Sequence, residues 1–112
     1  IDGSYQFMAP ELIRCMTDYN EKVDVYSFGV VVYFVLTGGE LPDLSLSDHE
    51  KGNLPSIPDK INEFSKNLIC KCMVADSKER PSFDEIVEKI EQNDFKLIDG
   101  IDRSSLENKF LS

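Results

Sequence analysis

The chain has 112 residues, of which 41% are hydrophobic and 29% charged, and its net charge at pH 7 is -9. This length suits one domain with one core, and the composition excludes an intrinsically disordered chain. Because the charge is acidic and no basic stripe occurs in the sequence, binding to the phosphate backbone of nucleic acid is also excluded.

The first half of the chain predicts one short helix and one long helix. Pro10 favours a helix over about residues 10–15, because proline is tolerated in a first helical turn. Residues 23–38 are rich in β-branched valine, which favours a strand, but the segment is too long for one. Its apolar residues cover every face, which predicts a helix that is buried all round. Gly38 and Gly39 then end it.

The second half predicts a loop and then two further helices. Residues 39–61 are rich in Gly, Pro, Ser and Asp and are interpreted mainly as loop, with a short helix at 45–51. An apolar face recurs at helical spacing over residues 62–73. Ser82 and Glu85 form an S-x-x-E capping box before the last helix, whose apolar residues fall at i, i+3, i+4 and i+7.

The remaining features carry little chemistry. His49 stands alone among polar residues of the predicted loop region, and we expect it to be exposed. The tail, residues 94–112, mixes apolar and polar residues, and its pattern allows one short amphipathic helix after Gly100. Together these elements predict a mainly α domain, and composition and periodicity indicate no particular function.

Neither a membrane segment nor a disulfide framework is predicted. The longest apolar run, residues 28–36, is far short of the roughly 20 residues that a membrane helix needs, and no signal peptide opens the chain. Cys70 and Cys72 point about 200° apart on a helix, so one metal ion could not easily bind both. We interpret them as small buried hydrophobic residues, and we expect a cytoplasmic protein with no membrane partner.

Three segments resemble parts of a known fold. Residues 3–11 (GSYQFMAPE) resemble the end of an activation segment, residues 24–30 (DVYSFGV) the start of a buried central helix, and residues 78–83 (KERPSF) an Arg-Pro-Ser turn. In this order they resemble the C-terminal lobe of eukaryotic protein kinases, most closely the tyrosine-kinase-like group of serine/threonine kinases. The resemblance implies a partial kinase domain over residues 1–93, truncated before the N-terminal lobe and catalytic loop, followed by the tail 94–112.

The resemblance implies mostly architectural roles for individual residues. Glu11 is expected to pair with Arg80, since a guanidinium meets a carboxylate bidentately; the alternative is two unrelated surface charges. Gly3 and Ser4 are expected in the substrate-recognition loop of an intact kinase, and in this chain alone Ser4 is interpreted as a turn serine beside Gly3. Asp24 is expected to anchor the central helix to the missing catalytic loop, and it also suits the positive end of a helix dipole.

The motifs that perform phosphoryl transfer do not occur in this sequence. It holds no Gly-x-Gly-x-x-Gly, His-Arg-Asp or Asp-Phe-Gly, so we assign no catalytic, cofactor-binding or metal residues. The resemblance implies ATP, Mg²⁺ and a protein substrate for an intact kinase, and a chain that is inactive alone. The alternative is a non-catalytic, pseudokinase-like interaction module that binds through the apolar face near residues 30–35. A third option is an unrelated helical bundle.

Overall fold

The structure is a computed structural model that describes residues 3–93. Over these residues the chain forms five α-helices joined by loops: α1 Pro10–Ile13, α2 Lys22–Leu36, α3 Leu46–Lys51, α4 Glu63–Cys72 and α5 Phe83–Gln92. Two 3-10 turns, Gly3–Phe7 and Ser77–Glu79, complete the described part, which contains no strand. The prediction of a mainly α fold is therefore confirmed. The tail helix proposed after Gly100 lies outside the described residues.

Helix α2 is the element on which the others pack. One side of it is buried against α4 and the first 3-10 turn. The opposite side carries Val31, Phe34 and Val35, which are 43%, 40% and 61% exposed. The prediction of a helix buried all round is thus wrong along this stripe. The reason is that, within residues 3–93, the neighbouring helices cover only one side of α2. Val31, Phe34 and Val35 stand at positions i, i+3 and i+4, which share one face of a helix, so all three are exposed together.

Two glycines permit close approaches between elements. A Cβ on Gly29 would lie 2.8 Å from Cys72 Cβ and 3.0 Å from Met73 Cγ, so α2 and α4 can touch only because this position has no side chain. Gly52 ends α3 in the left-handed region with a φ of 76°, and a Cβ there would lie 2.3 Å from Ala75 Cβ. The second contact brings the segment after α4 against the end of α3.

Side-chain caps mark where α3, α4 and α5 begin. Ser82 Oγ accepts a hydrogen bond of 3.1 Å from the backbone N–H of Glu85, as the S-x-x-E pattern predicts. A reciprocal capping box lies instead at α3, where Ser45 and Asp48 each accept a backbone N–H of the other. Asn62 caps α4 in the same manner as Ser82. No helix within residues 3–93 is long and apolar enough to cross a bilayer.

The two neighbouring cysteines of α4 lie in different environments. Cys72 is completely buried, beside Leu68 and Ile86, and Cys70 is half-buried. Burial raises the pKa of both thiols, and that of Cys72 to about 12. Both thiols therefore stay protonated at neutral pH. The interpretation of a small buried hydrophobic residue therefore fits Cys72 well and Cys70 in part.

Candidate functional site

A buried ion pair joins α1 to the segment before α5. Glu11 stands in the first turn of α1, after Pro10, and Arg80 ends the 3-10 turn Ser77–Glu79. Arg80 Nη1 donates to Glu11 Oε2 at 2.7 Å, and Nη2 donates to Oε1 at 3.0 Å. The pair is therefore bidentate. The exposed fraction of the side chain is 0% for Arg80 and 12% for Glu11.

Backbone carbonyl groups accept the remaining hydrogen bonds of Arg80. Nε donates to Val74 O at 2.8 Å, Nη2 to Ala75 O at 3.1 Å and Nη1 to Lys22 O at 3.1 Å. A guanidinium has five N–H donors, and with the two bonds to Glu11 all five have an acceptor. In return, Lys22 Nζ donates to the carbonyl oxygen of Arg80. A buried charge is tolerated when it is paired and fully hydrogen-bonded, and this one is both.

The electrostatics favour the ionised pair. Burial alone would raise the pKa of the Glu11 carboxyl, but the hydrogen bond and charge of Arg80 outweigh it, and the pKa lies below its usual value. Arg80 Cζ also lies 5.3 Å from the centre of the Tyr26 ring, a cation–π distance. Burial raises the pKa of the Tyr26 hydroxyl to about 12, so it remains a hydrogen-bond donor.

Tyr26 connects the ion pair to a buried histidine. Its hydroxyl lies 2.8 Å from His49 Nδ1, and both residues are 0% exposed. The Tyr5 ring meets the His49 ring edge to face, with centroids 5.8 Å apart. The prediction that His49 is exposed is therefore wrong, because α3 turns this position toward α2 and the first 3-10 turn. Burial lowers the pKa of His49, which favours the neutral ring.

The sequence-predicted site residues fall into two groups. The structure brings Glu11 and Arg80 into direct contact. Gly3 and Ser4 open the 3-10 turn Gly3–Phe7, whose last carbonyl accepts a hydrogen bond from Ser27 of α2. The side chain of Asp24 is exposed in the first turn of α2. The substrate-loop and anchoring roles of this second group stay predictions.

Sequence reasoning missed Lys22, Tyr26 and His49 as members of this network. Tyr26 is one of many apolar positions of α2, so its hydroxyl gave no separate signal. The Ser45–Asp48 capping box was the available signal for His49, because it places a helix across that position. Short helices of this kind show too few turns for a periodicity argument.

The arrangement holds elements together and offers no reactive group. Over residues 3–93 no cluster of three or more His, Cys, Asp or Glu is placed to bind a metal ion. The described residues therefore do not supply a set of ligands for Mg²⁺. Arg80 and Glu11 neutralise each other, and Tyr26 and His49 are sealed from solvent. What this network can do is fix the segment 3–11 against α2 and the loop 74–80.

We expect Glu11→Ala and Arg80→Ala each to lower the free energy of unfolding by about 3–5 kcal/mol, because either change leaves a buried partner without its counter-charge. The double variant should cost far less than the sum, since the second deletion removes the orphan left by the first. Urea denaturation measures the free energy of unfolding of the two single variants and of the double variant. Lys66 and Asp59, a surface pair at 3.8 Å, provide the control cycle, with an expected coupling below about 1 kcal/mol. Equal coupling in both cycles would contradict the buried-pair interpretation.

The buried His49 predicts a loss of stability in mild acid. Its pKa in the folded chain lies below the ordinary value of 6.5. The contribution of the neutral ring to the free energy of unfolding is therefore complete above pH 6.5 and is lost as the pH falls below 6.5. Urea midpoints between pH 7.5 and pH 5 should therefore decline, and His49→Gln should flatten that slope. Glu11 and Asp48, whose carboxyl pKa values are lowered, lose their contributions only at more acidic pH. An unchanged slope in His49→Gln would refute the assignment.

Comparison with known proteins gives one consistent result. Residues 2–90 match the family described as protein tyrosine and serine/threonine kinase. The dual specificity protein kinase shkE of Dictyostelium discoideum is 38% identical over 97 residues, which is 80% of this chain and 14% of shkE. The serine/threonine/tyrosine-protein kinase HT1 of Arabidopsis thaliana is 33% identical over 109 residues, 92% of this chain and 28% of HT1.

A serine/threonine-protein kinase of Arabidopsis thaliana is 34% identical over 97 residues, 80% of this chain and 16% of that protein. The chain therefore spans less than a third of the length of each of these relatives. The matched residues include both partners of the Glu11–Arg80 pair, helices α1 to α4 and most of α5. The chain belongs to the protein tyrosine and serine/threonine kinase family, and its fold is that of the helical C-terminal lobe.

Proposed function

We propose that this chain is the C-terminal part of a serine/threonine protein kinase and that it forms the substrate-side scaffold of that enzyme. The whole protein would transfer the γ-phosphoryl group of ATP to serine or threonine of a protein substrate. The observation that carries the proposal is the buried Glu11–Arg80 pair, which fixes the segment containing Gly3 and Ser4 relative to the helical lobe.

Positioning is the contribution that these residues can make to phosphoryl transfer. That chemistry depends on alignment of the reacting groups, and a misplacement of about 1 Å can cost about 100-fold in rate. Ala9 and Pro10, between the first 3-10 turn and Glu11, are buried, so the ion pair restrains the turn through only a few residues. Gly3 and Ser4 would then meet the substrate at a fixed place. Asp24, exposed at the start of α2, would accept hydrogen bonds from the catalytic loop.

The remaining parts of the reaction belong elsewhere in the protein. The nucleotide and its magnesium ions need a Gly-rich loop, a strand lysine and metal-binding carboxylates, and the corresponding motifs do not occur in this sequence. The preference for serine and threonine rests on the sequence resemblance, and relatives described as dual specificity make tyrosine the competing acceptor. A cytoplasmic location is part of the same proposal.

The activity is tested on the full-length gene product with radiolabelled ATP and matched peptides that carry Ser, Thr or Tyr as the acceptor. We expect transfer to Ser and Thr, no transfer by residues 1–112 alone, and a loss of about tenfold or more in kcat for Glu11→Gln. Asp59→Ala, on an exposed loop, is the matched control and should retain full activity. An inactive full-length protein, or transfer to tyrosine alone, would overturn the proposal.

A non-catalytic, pseudokinase-like interaction module is the second candidate function, and one observation favours it. Val31, Phe34 and Val35 form a continuous apolar stripe on α2, and all three are substantially exposed. Contiguous exposed apolar surface marks a site where protein packs against protein. In this case the stripe would bind a partner directly, without any phosphoryl transfer.

The stripe predicts that residues 1–112 associate with one another or with a partner as their concentration rises. Phe34→Ser with Val35→Ser should shift the chain toward monomer in size-exclusion chromatography with light scattering, because it removes the apolar contact. Val87→Ser is the control, since Val87 is 53% exposed but lies on α5. A parent chain that stays monomeric at every concentration would count against an obligatory partner.

A further inference from the structure

A groove of about 760 Å³ lies between α4 and α5, and no residue of the first 3-10 turn lines it. Its size falls within the range of sites that hold a ligand, about 300–1,000 Å³. The floor is apolar and includes Phe64, Leu68 and Ile86. Asn93, the residue directly after α5, lies at its edge.

The rim of the groove is basic although the chain as a whole is acidic. Lys71, Lys78 and Lys89 line it with exposed side chains, and Lys22 adds a fourth ammonium group. Two carboxylates, both glutamates, also line it. Arg80 contributes no net charge because Glu11 neutralises it. The groove therefore suits a segment that combines apolar side chains with an excess of acidic ones.

The chain supplies such a segment directly after Asn93. Residues 94–102 (DFKLIDGID) contain four large apolar residues, three aspartates and a single lysine. Nine residues reach up to about 30 Å when extended, enough to follow the groove from its edge. Because they are tethered at that edge, docking is intramolecular and starts from a high effective concentration. We propose that residues 94–102 dock in the α4–α5 groove of their own chain.

Docking would place the apolar residues of the segment on the floor and its aspartates beside the rim lysines. This goes beyond the kinase role, since it concerns the groove between α4 and α5 and holds for either proposed function. A peptide of similar chemistry from another protein is the competing occupant. The two occupants differ in one respect, because only the chain's own segment would cover the groove in the isolated protein.

Cysteine labelling tests the proposal, because the three thiols report on different places. Cys70 lines the groove, Cys15 is exposed after α1 and does not line it, and Cys72 is buried in the core. In the full chain, Phe95→Ser with Ile98→Ser should raise the labelling rate of Cys70 about tenfold. The reason is that a segment docked about nine-tenths of the time leaves the thiol accessible for only about one-tenth of the time. Cys15 and Cys72 should be unchanged.

Phe110→Ser, beyond the docking segment, is the matched control. An unchanged rate at Cys70 in the double variant would overturn the proposal. If Cys72 also becomes reactive, the variant has lost its fold, and the test passes to Lys71→Glu with Lys89→Glu, both on exposed side chains. This change should speed labelling of Cys70 by releasing the segment, although the added negative charge by itself would slow thiolate formation. Lys60→Glu, outside the groove, should have no effect, and no acceleration in the Lys71 and Lys89 variant overturns the proposal.

Adding peptide in trans separates the two occupants. A synthetic peptide of residues 94–102 should restore protection of Cys70 in the Phe95→Ser, Ile98→Ser chain, and a scrambled peptide of the same composition should not. Equal protection by both peptides would show that the groove accepts any acidic, apolar segment, which overturns the assignment to residues 94–102.

Discussion

The buried guanidinium of Arg80 is the constraint on which the rest of the described structure depends. Removing a charge from water costs several kcal/mol, and the cost is recovered only if the geometry of its partners is excellent. Here a carboxylate and three backbone carbonyls accept all five N–H donors. These acceptors come from α1, from the start of α2 and from the segment after α4. The three segments must therefore be in place together, which makes the junction cooperative.

The same requirement extends through Tyr26 to α3. The tyrosine ring lies against the guanidinium and its hydroxyl against His49, so one residue of α2 links the ion pair to a second buried polar group. Arg14 adds a connection on the surface by donating two hydrogen bonds to the carbonyl of Glu50. Helices of four and six residues have little stability of their own, and these polar contacts hold α1 and α3 in place.

Local signals predicted the helices well and the site poorly. Helix α5 shows both a capping serine and a clean apolar period, and the structure begins it directly after Ser82. Helix α2 was predicted from length and hydrophobicity, but neither property says which side a neighbour covers, hence the error along its exposed stripe. Glu11 and Arg80 are 69 residues apart, so no periodicity could pair them, and only the family resemblance suggested it. His49 was misjudged because its burial depends on α2, a contact distant in sequence.

The two sides of α2 bear on the choice between the proposed functions. A helix that is apolar all round is suited to the interior of a larger domain, and one that lies on a surface needs a polar face. In α2, one side packs on α4 through Gly29, while the other exposes Val31, Phe34 and Val35. A separate interaction module would gain nothing from Asp24 exposed at the same helix's first turn, or from a buried pair that fixes residues 3–11, the segment we propose to face the substrate. In the proposed kinase, an internal helix would use all three features, which favours the enzyme over the binding module.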